Sequence, residues 1–184
     1  MHELAAAVGV DRQDVAALLA TLTARRLTVA TAESLTGGLL AALLTELPGS
    51  SAVVRGGLVA YATDLKHRLA GVDDALLARR GAVDPEVAWQ LAVGARLRCG
   101  ADVGIGLTGV AGPDPQDGKP VGTFYCAVAG PAGYRDERAS GPGELERDSL
   151  AEAEPDPTGV RRRVRAAAVR SALQMLANIP ATIS

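Results

Sequence analysis

Short β-type runs alternating with helical segments predict an α/β layered domain with a mixed central sheet. Three observations carry that expectation. Val-containing apolar runs recur at 27–30, 52–61, 103–108 and 121–128. Helix-start signals or helical spacing separate most of them. The stretches 53–61 and 121–134 are ribbon-like, which favours mixed over purely parallel pairing.

Taken in order, Asp11 reads as the N-cap of a helix in which Val15, Leu18, Leu19 and Leu22 share a face. A strand follows and ends in a turn at Ser34. A helix then runs from Gly38 to the Pro48-Gly49 pair. The run 52–61 reads as a strand interrupted at Gly56-Gly57 by a bulge or bend. Thr63 or Asp64 is expected to cap a short helix carrying Lys66, and Asp73 a second one. Asp84-Pro85-Glu86 is a strong helix start, with a cap, a proline at the first position and an acid in the first turn; that helix is expected to reach Cys99-Gly100. Strands at 103–108 and 121–128 bracket a Gly/Pro/Asp loop, and 134–139 reads as an edge strand. The acidic stretch 141–157 lacks apolar periodicity and is expected to be a mobile excursion. Thr158 then caps a last helix over 159–178, whose first turns hold Arg161, Arg162, Arg163 and Arg165.

At 184 residues the chain is expected to be one domain, 1–184, with a core of Ala, Leu and Val. A formal charge of −2 argues against a general nucleic-acid binder. No apolar run approaches the ~18 residues of a membrane span, and the N-terminus lacks a signal-peptide layout, so a cytoplasmic location is expected. Cys99 and Cys126 are too few for a disulfide framework or a zinc site, and no metal or cofactor is expected.

The segment Thr31-Ala32-Glu33-Ser34-Leu35-Thr36-Gly37-Gly38 concentrates chemistry at one strand-to-helix corner. Such a corner suits two tasks: holding an anion on free backbone N–H groups, or presenting a serine nucleophile beside oxyanion donors. A turn serine that merely bonds its own backbone is the plainer reading. Glycine is missing two positions before Ser34, so this is not the elbow of α/β-hydrolases. His2 and His67 give poor support for a Ser–His–Asp arrangement. The chain holds 17 arginines but only two lysines, Lys66 and Lys119. Arginine cannot act as a base near neutral pH, so a lysine kept against that bias draws notice. Lys66 is the remaining candidate base for Ser34, provided burial or nearby charge lowers its pKa; a solvated lysine is the competing reading. The Tyr61 hydroxyl can bridge the amine and the serine, or Tyr61 can simply pack. Thr108, Gly109 and Gly112 head a loop whose backbone can approach a ligand closely. Asp114 and Asp117 are too few for a metal site. The arginines from Arg161 onward either bind a phosphate or form a solvated face.

These residues resemble the CinA C-terminal domain family. The resemblance rests on the octapeptide 31–38, Pro48-Gly49-Ser50-Ser51, Gly57-Leu58-Val59-Ala60-Tyr61 with Lys66, Gly81-Ala82-Val83, and Thr108-Gly109-Val110-Ala111-Gly112-Pro113-Asp114 with Lys119-Pro120-Val121-Gly122-Thr123. It implies a three-layer αβα domain, commonly oligomeric, without a required metal. It also implies an amidohydrolase of the nicotinamide-nucleotide amidase type, which deamidates nicotinamide mononucleotide in pyridine nucleotide salvage. Ser34 would be the nucleophile and Lys66 the base, with Tyr61 as a further catalytic group. Glu33, Thr36, Gly37, Gly38, Thr108, Gly109, Gly112 and Arg161 would contact substrate. The family's Gly-Asp-Arg ahead of the last helix reads here as Pro155-Asp156-Pro157, which leaves Arg161 or a neighbour to supply the guanidinium. The alternative expectation is a non-catalytic nucleotide- or partner-binding module built on the same corners.

Overall fold

The structure is a computed structural model that describes residues 3–141 and 157–181. The excursion expected over 141–157 therefore lies, apart from its two end residues, outside the described residues. The elements run α1 (Glu3–Ala7), α2 (Arg12–Ala24), β1 (Val29–Glu33), α3 (Leu39–Thr45), β2 (Val54–Val59), α4 (Thr63–Ala70), α5 (Asp74–Arg80), α6 (Pro85–Cys99), β3 (Val103–Gly109), β4 (Phe124–Ala129), β5 (Arg135–Ser140) and α7 (Pro157–Ala177). None of these helices is long and apolar enough to cross a membrane.

One five-stranded sheet, in the order β2-β1-β3-β4-β5, forms the middle layer. β1 pairs in parallel with β2 and β3, whereas β3–β4 and β4–β5 are antiparallel, so the sheet is mixed as expected. The antiparallel share comes only from the second ribbon. β2 is reached from β1 through α3, and such a crossover returns the chain parallel. The irregularity expected at Gly56-Gly57 falls one residue earlier: Val29 pairs with Val54 and Ala30 with Gly56, so Arg55 is the extra residue. Gly57 is a site of close approach, since a Cβ there would lie 2.6 Å from the Thr31 hydroxyl.

The two faces are covered by different helices. Leu18 and Leu22 of α2, Leu40 and Leu43 of α3, and Val169 and Leu176 of α7 join Val29, Ile105 and Val128 of the sheet in one apolar core. On the other face α4, α5 and α6 bury Ala70, Leu76, Leu77, Val87 and Leu91 against Ala30 and Ala32. α6 starts where its sequence says it should: the Asp84 carboxylate accepts from the Glu86 N–H at 2.9 Å and Pro85 opens the helix. It lies close on β3 because Gly104 and Gly106 have no side chain. A Cβ on either would run into the carbonyl of Ala92 or Ala88.

The local caps at Asp11 and Asp73 also form as expected. The helix carrying Lys66 starts differently, with Ala62 at the cap position and no side-chain cap. α3 ends at Thr45, short of Pro48, whereas β1 ends at Glu33, directly before the Ser34 turn as expected. α1 had no counterpart in the expectations; it places Ala5 and Val8 in the core, and Arg170 donates to the Val8 carbonyl at 2.9 Å. Cys126 is fully buried, which pushes its thiol up to about 12, so it packs as an inert apolar side chain.

Candidate active site

β1 is a central strand covered on both faces, so all five of its residues are buried, Thr31 and Glu33 included. A carboxylate at that depth needs donors. Glu33 finds four: the N–H groups of Gly38 (3.0 Å), Leu40 (3.1 Å) and Ala41 (2.8 Å), and the Thr31 hydroxyl (3.1 Å). Its charge sits at the N-terminus of α3, where both the unpaired N–H groups and the helix dipole favour an anion. Gly37 and Gly38, at φ 59° and 93°, turn the chain sharply enough for this to happen.

The corner expected to hold a foreign anion is therefore occupied from within. Gly38 N–H is taken by Glu33, and Gly37 N–H donates to the Ser34 carbonyl at 3.1 Å. Neither glycine, nor Glu33, nor Thr36 lines the pocket described below. Thr36 is fully buried; its hydroxyl has no partner among the described residues, and its carbonyl accepts from Arg165 at 2.6 Å. The N–H groups of Leu35 and Thr36, directly after Ser34, meet no acceptor among the described residues.

The pocket opens at the C-terminal ends of β1 and β3. About 110 Å³ in volume, it is lined by Ser34, Tyr61, Lys66, Thr108, Gly109, Gly112 and Arg161, together with Leu35, Ala82, Val83, Val110, Ala111, Asp114 and Gln116. The Ser34 N–H donates to the Leu107 carbonyl at 3.0 Å, which fixes the serine at the end of the β1–β3 ladder. Lys66, in the first turns of α4, is 1% exposed. Its amine donates to the carbonyls of Ala60 (3.0 Å) and Tyr61 (3.1 Å), and among the described residues it makes no bond to Ser34. Burial drives its pKa from 10.5 down to about 8, against the opposing pull of the Asp117 and Asp64 carboxylates. At that value an appreciable fraction of the amine is neutral near pH 7 to 8.

A guanidinium from the far end of the chain borders the pocket. Arg161 donates one N–H to the Tyr61 hydroxyl and another to the Gly112 carbonyl, each at 2.7 Å. Tyr61, 57% exposed, belongs to this rim. At the back, the Thr108 hydroxyl donates to the Ala82 carbonyl at 2.7 Å, while the Ala82 N–H donates to Asp117 at 2.9 Å. His67 is outside the pocket; its ring bonds the Val72 carbonyl and faces Asp74. Lys119 pairs with Gln116 in the loop hairpin and lies outside the lining. Among the described residues no three His, Cys, Asp or Glu side chains group as a metal site. Residue reasoning missed Ala82, Val83 and Gln116, which have no distinguishing chemistry in sequence. Asp117 was weighed only as a metal ligand; its place beside Gly81 is a tertiary contact that the sequence does not show.

Comparison with known proteins agrees with this architecture. A CinA-like protein of Frankia casuarinae is 44% identical over 176 residues, covering 94% of this chain and 37% of that protein. Another from Anaeromyxobacter sp. strain K is 53% identical over 119 residues, covering 63% of this chain and 29% of that protein. The chain thus spans about a third of the length of the curated relatives it matches. Among solved structures, a competence/damage inducible protein of Agrobacterium tumefaciens superposes with a TM-score of 0.78 at 36% identity, covering 90% of this chain and 93% of the other. A CinA superfamily protein of Escherichia coli gives 0.75 at 31% identity, covering 90% and 88%. The profile of the CinA C-terminal domain matches residues 12–179. With that match over most of its residues and this likeness in fold, the chain belongs to the CinA C-terminal domain family.

Proposed function

We propose that this chain is an amidohydrolase that deamidates nicotinamide mononucleotide to nicotinate mononucleotide and ammonia through Ser34 and Lys66. The observation that carries the reading is a buried lysine, lowered to about 8, on the wall of the same pocket as a serine at a strand-to-helix corner. In the first step neutral Lys66 takes the Ser34 hydroxyl proton while the oxygen bonds to the carboxamide carbon. The lysine then returns a proton to the departing nitrogen, the C–N bond breaks, and ammonia leaves. Water adds to the acyl-serine and releases the carboxylate, with the same amine moving the protons. The N–H of Leu35, which lines the pocket directly after Ser34, is an available donor for the oxyanion, typically worth ~3 kcal/mol. Tyr61 and Arg161 border the entrance, where a phosphate would meet the guanidinium. Nothing in this chemistry calls for a metal or cofactor. A cytoplasmic homo-oligomer acting in pyridine nucleotide salvage is the setting proposed.

The test is ammonia release from nicotinamide mononucleotide by the purified protein. Ser34→Ala and Lys66→Ala are each expected to abolish it. Lys66→Arg keeps the charge, removes the base and is expected to be equally inactive. Near-normal turnover in either lysine variant would reject the dyad. A second reading, a nucleotide-binding module without turnover, draws on one observation: the Lys66 amine bonds two carbonyls rather than Ser34. Saturable binding of the mononucleotide with no ammonia would favour it.

A further inference from the structure

We propose that Asp117 is a positioning residue of this pocket: its carboxylate fastens the hairpin bearing Asp114 and Gln116 to the turn ahead of α6 and sets a fixed negative charge toward the buried Lys66 amine. The fastening is visible in the packing. Asp117, at φ 51°, leads the tight turn closed by Gln116 and Lys119 and aims one carboxylate oxygen at the Ala82 N–H, 2.9 Å away. Gly81 makes room for it, since a Cβ there would lie 2.6 Å from the same oxygen. Ala82 is then held on both sides, by Asp117 at its N–H and by the Thr108 hydroxyl at its carbonyl. Ala82, Asp114 and Gln116 are all pocket wall, so the Asp117 contact ties two parts of that wall together.

The charge follows from the same placement. The charged groups around the Lys66 amine are Asp117 from the hairpin, Asp64 from its own helix, and Asp114 and Arg161 from the pocket wall. α6 meets α4 at Gly94 and through the apolar cluster of Val87, Leu91 and Ala95, and the Arg98 guanidinium it brings lies against Gly71 at the C-terminal end of α4. Of the two carboxylates that raise the Lys66 pKa, Asp117 contributes more than Asp64. Asp117 therefore opposes burial, keeping the amine from falling so low that it becomes a weak base.

Because the chain has only Lys66 and Lys119, the amine can be read directly. In full-length protein carrying Lys119→Arg and labelled with 13C-lysine, a single Lys66 Cε signal is followed over about pH 6 to 11. Asp117→Asn keeps a carbonyl acceptor for Ala82 and loses the charge. It is expected to move the Lys66 midpoint downward by roughly half a unit or more. Asp117→Ala loses the acceptor as well and is expected to add faster amide exchange at Ala82. An unchanged or raised midpoint in Asp117→Asn overturns the inference. The readout does not depend on the amidase reading, because a lysine with no catalytic role would titrate in the same way.

Discussion

Lys66 carries opposite consequences for chemistry and for folding. Its amine is more readily neutral than an exposed lysine because the folded chain withdraws it from water. The unfolded chain keeps that proton up to about 10.5, whereas the folded one releases it near 8. Between those values the unfolded state binds more protons, so stability rises with pH there. Below about 8 that gain is absent. Wild type is expected to gain on the order of 3 kcal/mol relative to Lys66→Met as pH rises through the window. Urea unfolding of the two proteins at several pH values measures the difference, and parallel curves would contradict the burial account. Glu33, as deeply buried, collects four donors around its carboxylate.

At the level of elements, the α6–β3 contact sets how closely the helix layer can approach the sheet. A Cβ at Gly106 would lie 2.5 Å from the Ala92 backbone nitrogen and 2.8 Å from Leu91 Cβ, besides meeting the Ala88 carbonyl. Backbone cannot rotate aside as a side chain can. Gly106→Ala is expected to cost about 3 kcal/mol and lower Tm by about 10 °C, read by thermal denaturation. What the sequence revealed of these elements follows from how local each signal is. The caps at Asp11, Asp73 and Asp84 were legible because a cap needs only its own next few residues. The parallel pairing of β2 was not, since it depends on where α3 returns the chain. α1 is too short and too rich in alanine to show a period. The end of β1 at the Ser34 turn was legible, but the burial of Thr31 and Glu33 was not, since their partners in α3 and β2 lie further along the chain. In the pocket, Ser34 and Lys66 were nameable from turn chemistry and lysine scarcity. The occupation of the α3 N-terminus by Glu33 was not, because it inverts the expectation that free N–H groups await a ligand there.

For the molecule as a whole, strand order decides where a site can form. From β1 the chain crosses to β2 on one side, then through α4, α5 and α6 to β3 on the other. At such a switch point the segments leaving adjacent parallel strands diverge and leave a crevice at their carboxyl ends. Ser34 leaves β1 there, and Thr108 and Gly109 close β3. Across the crevice, α7 returns to supply Arg161. Arg161→Ala is expected to raise KM for nicotinamide mononucleotide roughly tenfold while kcat changes less, as removal of a ground-state anion contact does. A steady-state series in mononucleotide concentration checks this, and an unchanged KM would remove Arg161 from substrate binding. The arrangement also has a temporal side. The mouth is bridged from Tyr61 and Gly112 to a residue made 100 and 49 positions later, respectively. During synthesis neither this bridge nor the Arg165 contact to the Thr36 carbonyl can form until α7 has been made, and the core it shares with Val29 and Ile105 waits with them. A ribosome-bound chain stalled before residue 161 would therefore hold the Ser34 and Lys66 segments with one face of the sheet still waiting for α7.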